Sequence, residues 1–357
     1  MSATPDISFV AASRNDNHGG NLRHRMQVFV EALLGQCDRH CLDAELVLVE
    51  WNPPPDRPGL SEALRWPRSE RCPVRVIEVP AELHRRFGNA DSLPLHQMIA
   101  KNAGIRRARG RFVAATNIDV LFSDGLMEFL AAGLDPHKWY RANRYDVDRD
   151  VPENVPAESQ LAYCEDNLLR IHRRDGTRDL RTRAFDRIYR DPAVLKAFLL
   201  LAPLAFLPGL GGRLRNAERS LKFIEECGRL HTNACGDFTC MARKRWHDLH
   251  GYWEFAGFPA HVDGLICHAA RFLGLDERVL ADPARVYHIE HGSGSGYLGY
   301  ASGEKWKRLD AAGVPRLTRD DYTGLLFDIK SGRKPAALNV GDWGLEGENL
   351  PETTPLP

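Results

Sequence analysis

The chain has 357 residues, and 43% of them are hydrophobic, which is enough to bury a sizeable core in one large domain or two closely packed ones. Lysine plus arginine and aspartate plus glutamate each number 48, so the formal charge is zero and does not indicate nucleic acid as a partner. Eight irregularly spaced cysteines are typical of reduced thiols, and the N-terminal segment lacks the features of a secretory signal, so we expect a cytoplasmic protein.

Residues 1–147 alternate apolar runs with segments of helical spacing. Strands are predicted at residues 7–12, 44–51, 74–80 and 111–116. Helices are predicted at residues 22–34, with Asn21 as the N-cap, and at residues 93–110. This alternation predicts an α/β fold with a mostly parallel sheet flanked by helices. Ligands of such sheets bind at the carboxyl ends of the strands, which are polar here at residues 13–16, 50–52 and 117–119.

Residues 148–230 change character. They are rich in arginine and aspartate and show no alternation of strands and helices, so we predict a helical insertion. The uncharged run at residues 197–212 is too short and too broken by proline to span a bilayer comfortably. It is either a buried apolar segment or a patch that rests on a membrane surface, which the basic residues 173–187 upstream favour. Peripheral contact with the inner face of a membrane is thus one expectation.

Three segments follow the insertion. Residues 236–255 predict a strand, a short helix and a turn, and residues 261–275 predict a helix that begins near Asp263. Residues 284–296 predict a strand that passes into a glycine-rich loop. The last residues, 347–357, have the composition of a disordered tail.

Several of these segments carry a resemblance. SFVAASRNDNHGG, LVLVEWNPP and AKNAGIRRARGRFVAATNIDVLFSD, followed by GDF, HVDG and YHIEH, resemble in this order the nucleotide-sugar glycosyltransferases of GT-A fold, in the family-2-like group. The resemblance covers about residues 1–147 and 231–292. It implies a Rossmann-like sheet in which residues 1–147 bind the donor and residues 231–300 hold the acceptor and the catalytic groups. The insertion lies between these halves, and residues 301–357 form a C-terminal extension.

The implied activity is the metal-dependent transfer of a sugar from a nucleotide-diphosphate donor to a hydroxyl group, with inversion at the anomeric carbon. The acceptor is a glycan, a lipid-linked sugar or a small molecule, as in glycan or glycolipid biosynthesis. Two alternatives stay open at this point. One is a nucleotidyltransferase acting on sugar phosphates, although SRNDNHGG is a poor phosphate-binding loop. The other is a non-catalytic protein that binds a sugar nucleotide.

Asp119 is the first expected metal ligand. A carboxylate is a hard ligand suited to Mn²⁺ or Mg²⁺, which would neutralise the diphosphate leaving group. The resemblance places NID where the family has DxD, so Asn117 stands in the position of the first aspartate. An amide can bind a ribose hydroxyl but adds no charge to the metal. The alternative is that Asp119 only caps the next helix, for which Ser123 is the better N-cap.

The resemblance also implies a late histidine ligand, and the segment YHIEH offers His288 and His291. Side chains three apart on a strand point to opposite faces, so both bind one metal only if the chain turns between them. We expect His291 to be the better placed, since His288 lies within the predicted strand.

Donor contacts are also implied by the resemblance. The residues that match are Ser13, Arg14, Asn15, Asp16, Glu50, Asn52, Lys101, Asn102, Asn117 and Asp119. The loop after the first strand would meet the nucleotide, the end of the second strand would hold the base, and Lys101 with Asn102 would face the donor. The alternatives are a polar loop that makes only local turns and a solvated helix face.

Asp263 is the expected general base, because a carboxylate at a helix N-terminus tends to stay ionised and can deprotonate an incoming hydroxyl. It matches the position of the base in inverting relatives. The alternative is a plain charge at the start of a helix. Asp237 and Glu254 are expected to orient the acceptor.

Overall fold

Four strands form the parallel centre of the larger of two sheets. In a computed structural model of the chain, which describes residues 4–187, 230–291 and 304–356, they are Ile7–Ser13 (β1), Ala44–Trp51 (β2), Val74–Val79 (β3) and Phe112–Thr116 (β4). Their order is β4-β1-β2-β3, and all three pairings are parallel. The four predicted strands are therefore confirmed, and their carboxyl ends lie at one edge of the sheet.

Helices cover both faces of these strands. Leu22–Arg39 (α1) packs on the face that carries Phe9, and Gln97–Arg107 (α4) packs on the face that carries Val10. Two one-turn helices lie between them in the chain, Leu60–Ala63 (α2) and Ala81–His84 (α3). Gly104 allows α4 to lie directly on the sheet, since a Cβ there would stand 2.6 Å from Val10 and 2.9 Å from Val49.

Four further strands complete the larger sheet and make it mixed. They are Lys138–Arg141 (β6), Phe238–Ala242 (β11), Asp276–Val279 (β12) and Glu352–Thr353 (β14). The full order is β12-β6-β11-β4-β1-β2-β3-β14, in which β11 and β14 pair only antiparallel with their neighbours. The prediction of a mostly parallel sheet thus holds for the central strands, and the chain as a whole is α/β with mixed sheets flanked by helices.

The second sheet has six strands. They are Val120–Phe122 (β5), Asn143–Val147 (β7), Leu168–Arg173 (β8), Gly176–Asp179 (β9), Phe185–Arg187 (β10) and Arg285–Ile289 (β13), in the order β10-β9-β8-β7-β13-β5. Residues 117–119 join β4 of the larger sheet to β5 of this one. Asp119 therefore lies at the passage between the two sheets.

The prediction of a helical insertion is wrong for residues 148–187. This part contains one helix, Ala157–Asp166 (α6), and the strands β8, β9 and β10, which extend the second sheet. These strands show no clean apolar alternation, because they lie toward one end of the second sheet and many of their residues are only partly buried. The apolar run at residues 197–212 lies outside the described residues. Within the described ranges, no helix combines the length and apolar content needed to cross a bilayer.

The C-terminal tail is ordered, which corrects the expectation of disorder. Strand β14 pairs with the edge of β3, and Glu352 accepts hydrogen bonds of 2.7 and 2.8 Å from Arg75. Leu350 is buried, and Arg107 donates to the carbonyl oxygens of three residues of the preceding segment. Composition misses this because a single apolar side chain and backbone pairing with an edge strand hold the segment.

The remaining helices are Asp124–Ala131 (α5), Arg243–Asp248 (α7), Val262–Phe272 (α8), Glu304–Ala311 (α9) and Arg319–Lys330 (α10). Ser123 caps α5 by accepting a hydrogen bond from the Leu126 N–H, as predicted. Asn21 stands at the N-cap position of α1 but makes no side-chain capping bond, since its backbone is left-handed with φ at 50°.

Candidate functional site

Three predicted metal ligands lie together at the junction of the two sheets. Strand β13 pairs antiparallel with β5, and the Ile289 N–H donates to Asp119 O over 3.0 Å. The strand ends at Ile289, so the chain turns and brings His291 to the same side as His288. Asp119 Oδ2 is 3.5 Å from His291 Nε2 and 3.9 Å from His288 Nε2. One ligand atom from each residue lies within 4.8 Å of the others.

Burial and charge put His291 and Asp119 in forms that can bind a cation. Burial lowers the pKa of His291 to about 4, so its imidazole is neutral at pH 7. Burial opposes ionisation of Asp119, but His288, His291 and Arg25 outweigh it and lower the pKa of the carboxyl group. A neutral imidazole and an ionised carboxylate are the states that coordinate metals.

Asp146, on β7, supports His288 from behind and was not predicted. Its carboxylate is 0% exposed, and Oδ1 lies 3.5 Å from His288 Nδ1. Arg144 Nε and Arg170 Nε donate to it over 2.6 and 2.7 Å, and His172 Nε2 lies 2.9 Å away. Burial opposes its ionisation, but Arg144 and His172 hold the pKa of Asp146 well below its usual range. A carboxylate behind a histidine is the arrangement that orients metal-binding imidazoles.

Arg25, also unpredicted, pairs with Asp119 from helix α1. Arg25 Nη1 donates to Asp119 Oδ2 over 2.5 Å, and Nη2 donates to His18 O over 2.5 Å and to Gly20 O over 3.3 Å. Arg25 is buried, with only 2% of its surface exposed. The sequence does carry a signal for it, because a position three residues after Leu22 falls on the apolar face of the predicted helix.

Asn117 is joined to a second carboxylate. Its Nδ2 donates to Asp237 Oδ1 over 2.5 Å, and Gln97 Nε2 donates to Asn117 Oδ1 over 2.9 Å. Arg144 Nη1 donates to Asp237 Oδ2 over 2.8 Å. Burial opposes ionisation of Asp237, but Arg144 and His288 lower the pKa of its carboxyl group. Asp237 therefore places beside Asn117 a negative charge that the amide itself lacks.

Asp263 lies next to this pair, in the first turn of α8. Its Oδ2 accepts a hydrogen bond from the Gly236 N–H over 3.1 Å, and its Oδ1 accepts one from the Gly264 N–H over 2.9 Å. The residue is half-buried. Asp237 follows Gly236 directly in the chain, which brings the two predicted carboxylates together.

Lys101 supports this region from inside and does not face a donor. It is fully buried on α4, and its Nζ donates to Gly236 O over 2.8 Å. Burial lowers the pKa of Lys101 to about 8, although the carboxylates of Asp237, Asp263 and Asp119 act to raise it. Both the expected donor contact and the alternative of a solvated helix face are therefore wrong for Lys101.

Asn102 and Glu254 are bound to each other. Asn102 Nδ2 donates to Tyr252 O over 2.7 Å and to Glu254 Oε1 over 3.0 Å, and its Oδ1 accepts from the Tyr252 N–H. Glu254 also accepts from the Gly344 N–H over 2.7 Å. These bonds use both side chains to hold the segment after α7 against the C-terminal extension. Asn102 is 0% exposed and so does not face the donor edge, while the expected role of Glu254 at the acceptor stays a prediction.

The loop after β1 lies at the same edge as Asp119. Ser13 pairs with Glu50 across the parallel strands β1 and β2, and its Oγ lies 3.2 Å from Met26 Sδ. Arg14 Nη1 is 3.5 Å from Asp16 Oδ2. Asp16 Oδ1 also accepts from a backbone N–H two residues later, over 2.9 Å. The loop thus makes local turns, while Arg14 remains partly exposed at the edge.

A buried carboxylate ends β2. Glu50 is 2% exposed, and its Oε2 accepts from the Leu60 N–H over 2.8 Å. Burial raises its pKa to about 7, and its Oε1 finds no hydrogen-bond partner in the described parts of the chain. Asn15 and Asn52 brace the neighbouring loops by donating to Pro58 O over 2.8 Å and to Pro94 O over 3.2 Å.

Taken together, these residues can bind a cation and an anion side by side. Asp119, His288 and His291 supply oxygen and nitrogen ligands, and Arg25 and Arg14 supply positive charge at the carboxyl edge of the parallel strands. Asp263 offers a half-buried carboxylate nearby. No protein-family model matches this chain, and no curated protein matches its sequence.

Proposed function

We propose that the chain is a metal-dependent glycosyltransferase of GT-A type, which moves a sugar from a nucleotide-diphosphate donor to a hydroxyl acceptor. The observation that carries this proposal is the grouping of Asp119, His288 and His291 within 4.8 Å of one another, at the end of a parallel strand. In α/β sheets, ligands bind at this edge. The two neighbouring strand ends, at Ser13 and Glu50, lie beside it.

The ligand set favours Mn²⁺ over Mg²⁺. Magnesium prefers oxygen ligands and keeps its waters, whereas manganese, as a transition-metal ion, accepts imidazole nitrogen more readily. Asp119, His288 and His291 would hold the cation, with Asp146 orienting His288. A divalent cation bound there would neutralise the negative charge that develops on a diphosphate leaving group.

The protein's own groups have separate tasks in this reaction. The loop at residues 13–16 and Glu50 flank the space for the nucleotide, and Asn117 offers its amide to a ribose hydroxyl. Asp263 takes the proton from the acceptor hydroxyl, and the hydroxyl oxygen attacks the anomeric carbon from the face opposite the leaving group. Asp237 is already committed to Asn117 and Arg144, so it positions the donor side of the site instead of binding the acceptor.

A non-catalytic sugar-nucleotide-binding protein is the second candidate. It is favoured by the Arg25–Asp119 pair, because a guanidinium group can neutralise this carboxylate without a metal. In that case a diphosphate would bind through arginine side chains, and no transfer would follow.

Isothermal titration of nucleoside diphosphates, with and without manganese, tests the proposal together with a hydrolysis screen of common nucleotide sugars. Binding that requires manganese, with slow hydrolysis of one donor, is the expected result. Nucleotide binding that does not depend on manganese, with no hydrolysis or transfer of any donor, would favour the non-catalytic binding protein. An absence of nucleotide binding under both conditions would rule out both. Asp124→Asn, which alters a partly exposed aspartate paired with Arg39 of α1, is the matched control for Asp119→Asn in these titrations.

A further inference from the structure

We infer that Arg25 is an exchangeable partner of Asp119: it pairs with the carboxylate in the metal-free protein and moves to the donor's diphosphate when a divalent cation binds. The inference rests on the proposed function. It assigns to this buried arginine the coupling between the cation and the pyrophosphate group of the donor.

The first step is that Arg25 and the two imidazoles meet at one oxygen atom. Asp119 Oδ2 accepts from Arg25 Nη1 over 2.5 Å, and the same atom is the one closest to His291 Nε2 and His288 Nε2, at 3.5 and 3.9 Å. A cation held by these three ligands would stand next to a guanidinium group. Two positive charges in a buried site repel each other strongly, so the guanidinium and the cation compete for Asp119.

The second step is that Arg25 has somewhere else to bind. Its Nη2 is held by His18 O and Gly20 O in the loop that follows β1, independently of Asp119. Its Nε is buried and lacks a hydrogen-bond partner among the described residues. The guanidinium can therefore leave Asp119, keep its bonds to the loop and donate to an anionic oxygen.

The third step concerns the chemistry of that oxygen. Once Nη1 is released from Asp119, Nη1 and Nε can each donate a charge-assisted hydrogen bond to a phosphate oxygen. The loop that holds Nη2 also contains Arg14, whose Nε is likewise without a described partner. A pyrophosphate group between these arginines and the cation would be neutralised from both sides.

This exchange makes cation and diphosphate binding mutually dependent. Without diphosphate, Arg25 stays close to Asp119 and lowers the affinity for the cation. Without the cation, Arg25 is paired with Asp119 and lowers the affinity for the diphosphate. Each ligand therefore raises the affinity for the other, and the coupling must be the same in both directions.

Titrations of manganese chloride and of inorganic pyrophosphate, followed by calorimetry and by Mn²⁺ electron paramagnetic resonance, test the exchange. In Arg25→Met, manganese alone should bind about tenfold more tightly than in the wild type, and pyrophosphate at saturating manganese about tenfold more weakly. Arg25→Gln keeps amide donors for the loop carbonyls but no charge, so it should give the same pattern if Arg25→Met does not fold. Arg23→Met removes an exposed arginine from the same helix and should change neither affinity.

The possible results separate the two proposals. Wild-type protein that binds no manganese, even with pyrophosphate, would overturn the proposed function and this inference with it. Wild-type protein that binds manganese through Asp119, while Arg25→Met and Arg25→Gln leave both affinities unchanged, would overturn the exchange alone. Weaker manganese binding in both folded variants would also overturn it, because Arg25 would then support the metal site rather than compete with it.

Discussion

Lys101 and Asp263 hold Gly236 from the two ends of its backbone. Lys101 Nζ donates to Gly236 O, and the Gly236 N–H donates to Asp263 Oδ2. The approach is close, since a Cβ at Gly236 would lie 3.1 Å from Asp263 Oδ2 and would push this carboxylate aside by a few tenths of an ångström. The next residue, Asp237, belongs to the cluster around Asn117. A buried lysine thus fixes the short segment that links the metal-side carboxylates to the proposed base.

Lys101→Met should change the dependence of stability on pH. Burial lowers the pKa of Lys101 to about 8 in the folded protein, from an ordinary value of 10.5. The unfolded chain then holds more protons between these two pH values, so the lysine's contribution to stability rises as pH increases through this window. The wild type should gain up to about 3 kcal/mol relative to Lys101→Met across it, measured by urea denaturation at each pH.

Lys244→Met, which removes an exposed lysine, is the control for this comparison. Ionisation of buried thiols and other general effects of alkaline pH should act equally on the wild type and on Lys244→Met, so the difference in stability between these two proteins should stay constant. A difference between wild type and Lys101→Met that stays constant across the window would contradict the lowered pKa.

Asp119→Asn should abolish manganese-dependent nucleotide binding and slow transfer on the order of a thousandfold, because the Lewis acid is lost. It should also lower the free energy of unfolding by about 3–5 kcal/mol, since Arg25 stays buried without its charged partner. Calorimetry and denaturation measure the two effects separately. Manganese binding as tight as in the wild type would remove Asp119 from the ligand set.

The sequence predicts the three residues of the proposed metal site but not the groups behind them. Asp119 and His291 follow predicted strands, so a polar residue just past a strand end marks both, whereas His288 lies inside a strand and is expected from the resemblance of YHIEH. Asp146 and Arg144 carry no such mark. Asp146 and Arg144 lie beside His288 because β7 pairs in parallel with β13. No local periodicity in the sequence shows which distant strands become neighbours.

The same limit explains the errors in the fold. The central parallel strands are buried on both faces, so their apolar runs are long and easily recognised. Strands β8 to β10 and the two-residue strand β14 are placed by pairing with other strands and by side-chain bonds to residues distant in the chain, which composition does not report. Asn102 was misplaced because its partners, Tyr252 and Glu254, lie about 150 residues further along the chain.

Asn102→Ala should lower stability and leave nucleotide affinity unchanged. Each buried group left without its partner costs about 1–3 kcal/mol, and the side chain serves both Tyr252 and Glu254. Chemical denaturation and nucleotide titration give the two readouts. Asn167→Ala, which removes one bond to Tyr163 O, is the control. A folded Asn102→Ala protein with sharply reduced nucleotide affinity would restore the donor contact expected from the sequence.

Deletion of residues 350–357 should destabilise the protein by removing β14 and the partner of Arg75. A hydrogen bond to a charged group contributes about 1.5–3 kcal/mol, and Glu352→Gln isolates that part. The Glu78 amide, which donates to Pro351 O, should then exchange its hydrogen faster in the truncated protein. Unchanged thermal stability and unchanged exchange at Glu78 would contradict a structural role for the tail.

Asp263→Asn should reduce turnover by about 10²–10⁴-fold while leaving manganese-dependent donor binding nearly unchanged. The amide is close in shape to the carboxylate, and its oxygen can still accept a bond from Gly236 or Gly264, so the start of α8 is preserved. What is lost is the ability to take a proton from the acceptor. Single-turnover kinetics measure the effect, with Glu254→Gln as a control that should alter stability more than rate. Near wild-type turnover, or a product that retains the donor's anomeric configuration, would exclude Asp263 as the base of an inverting reaction.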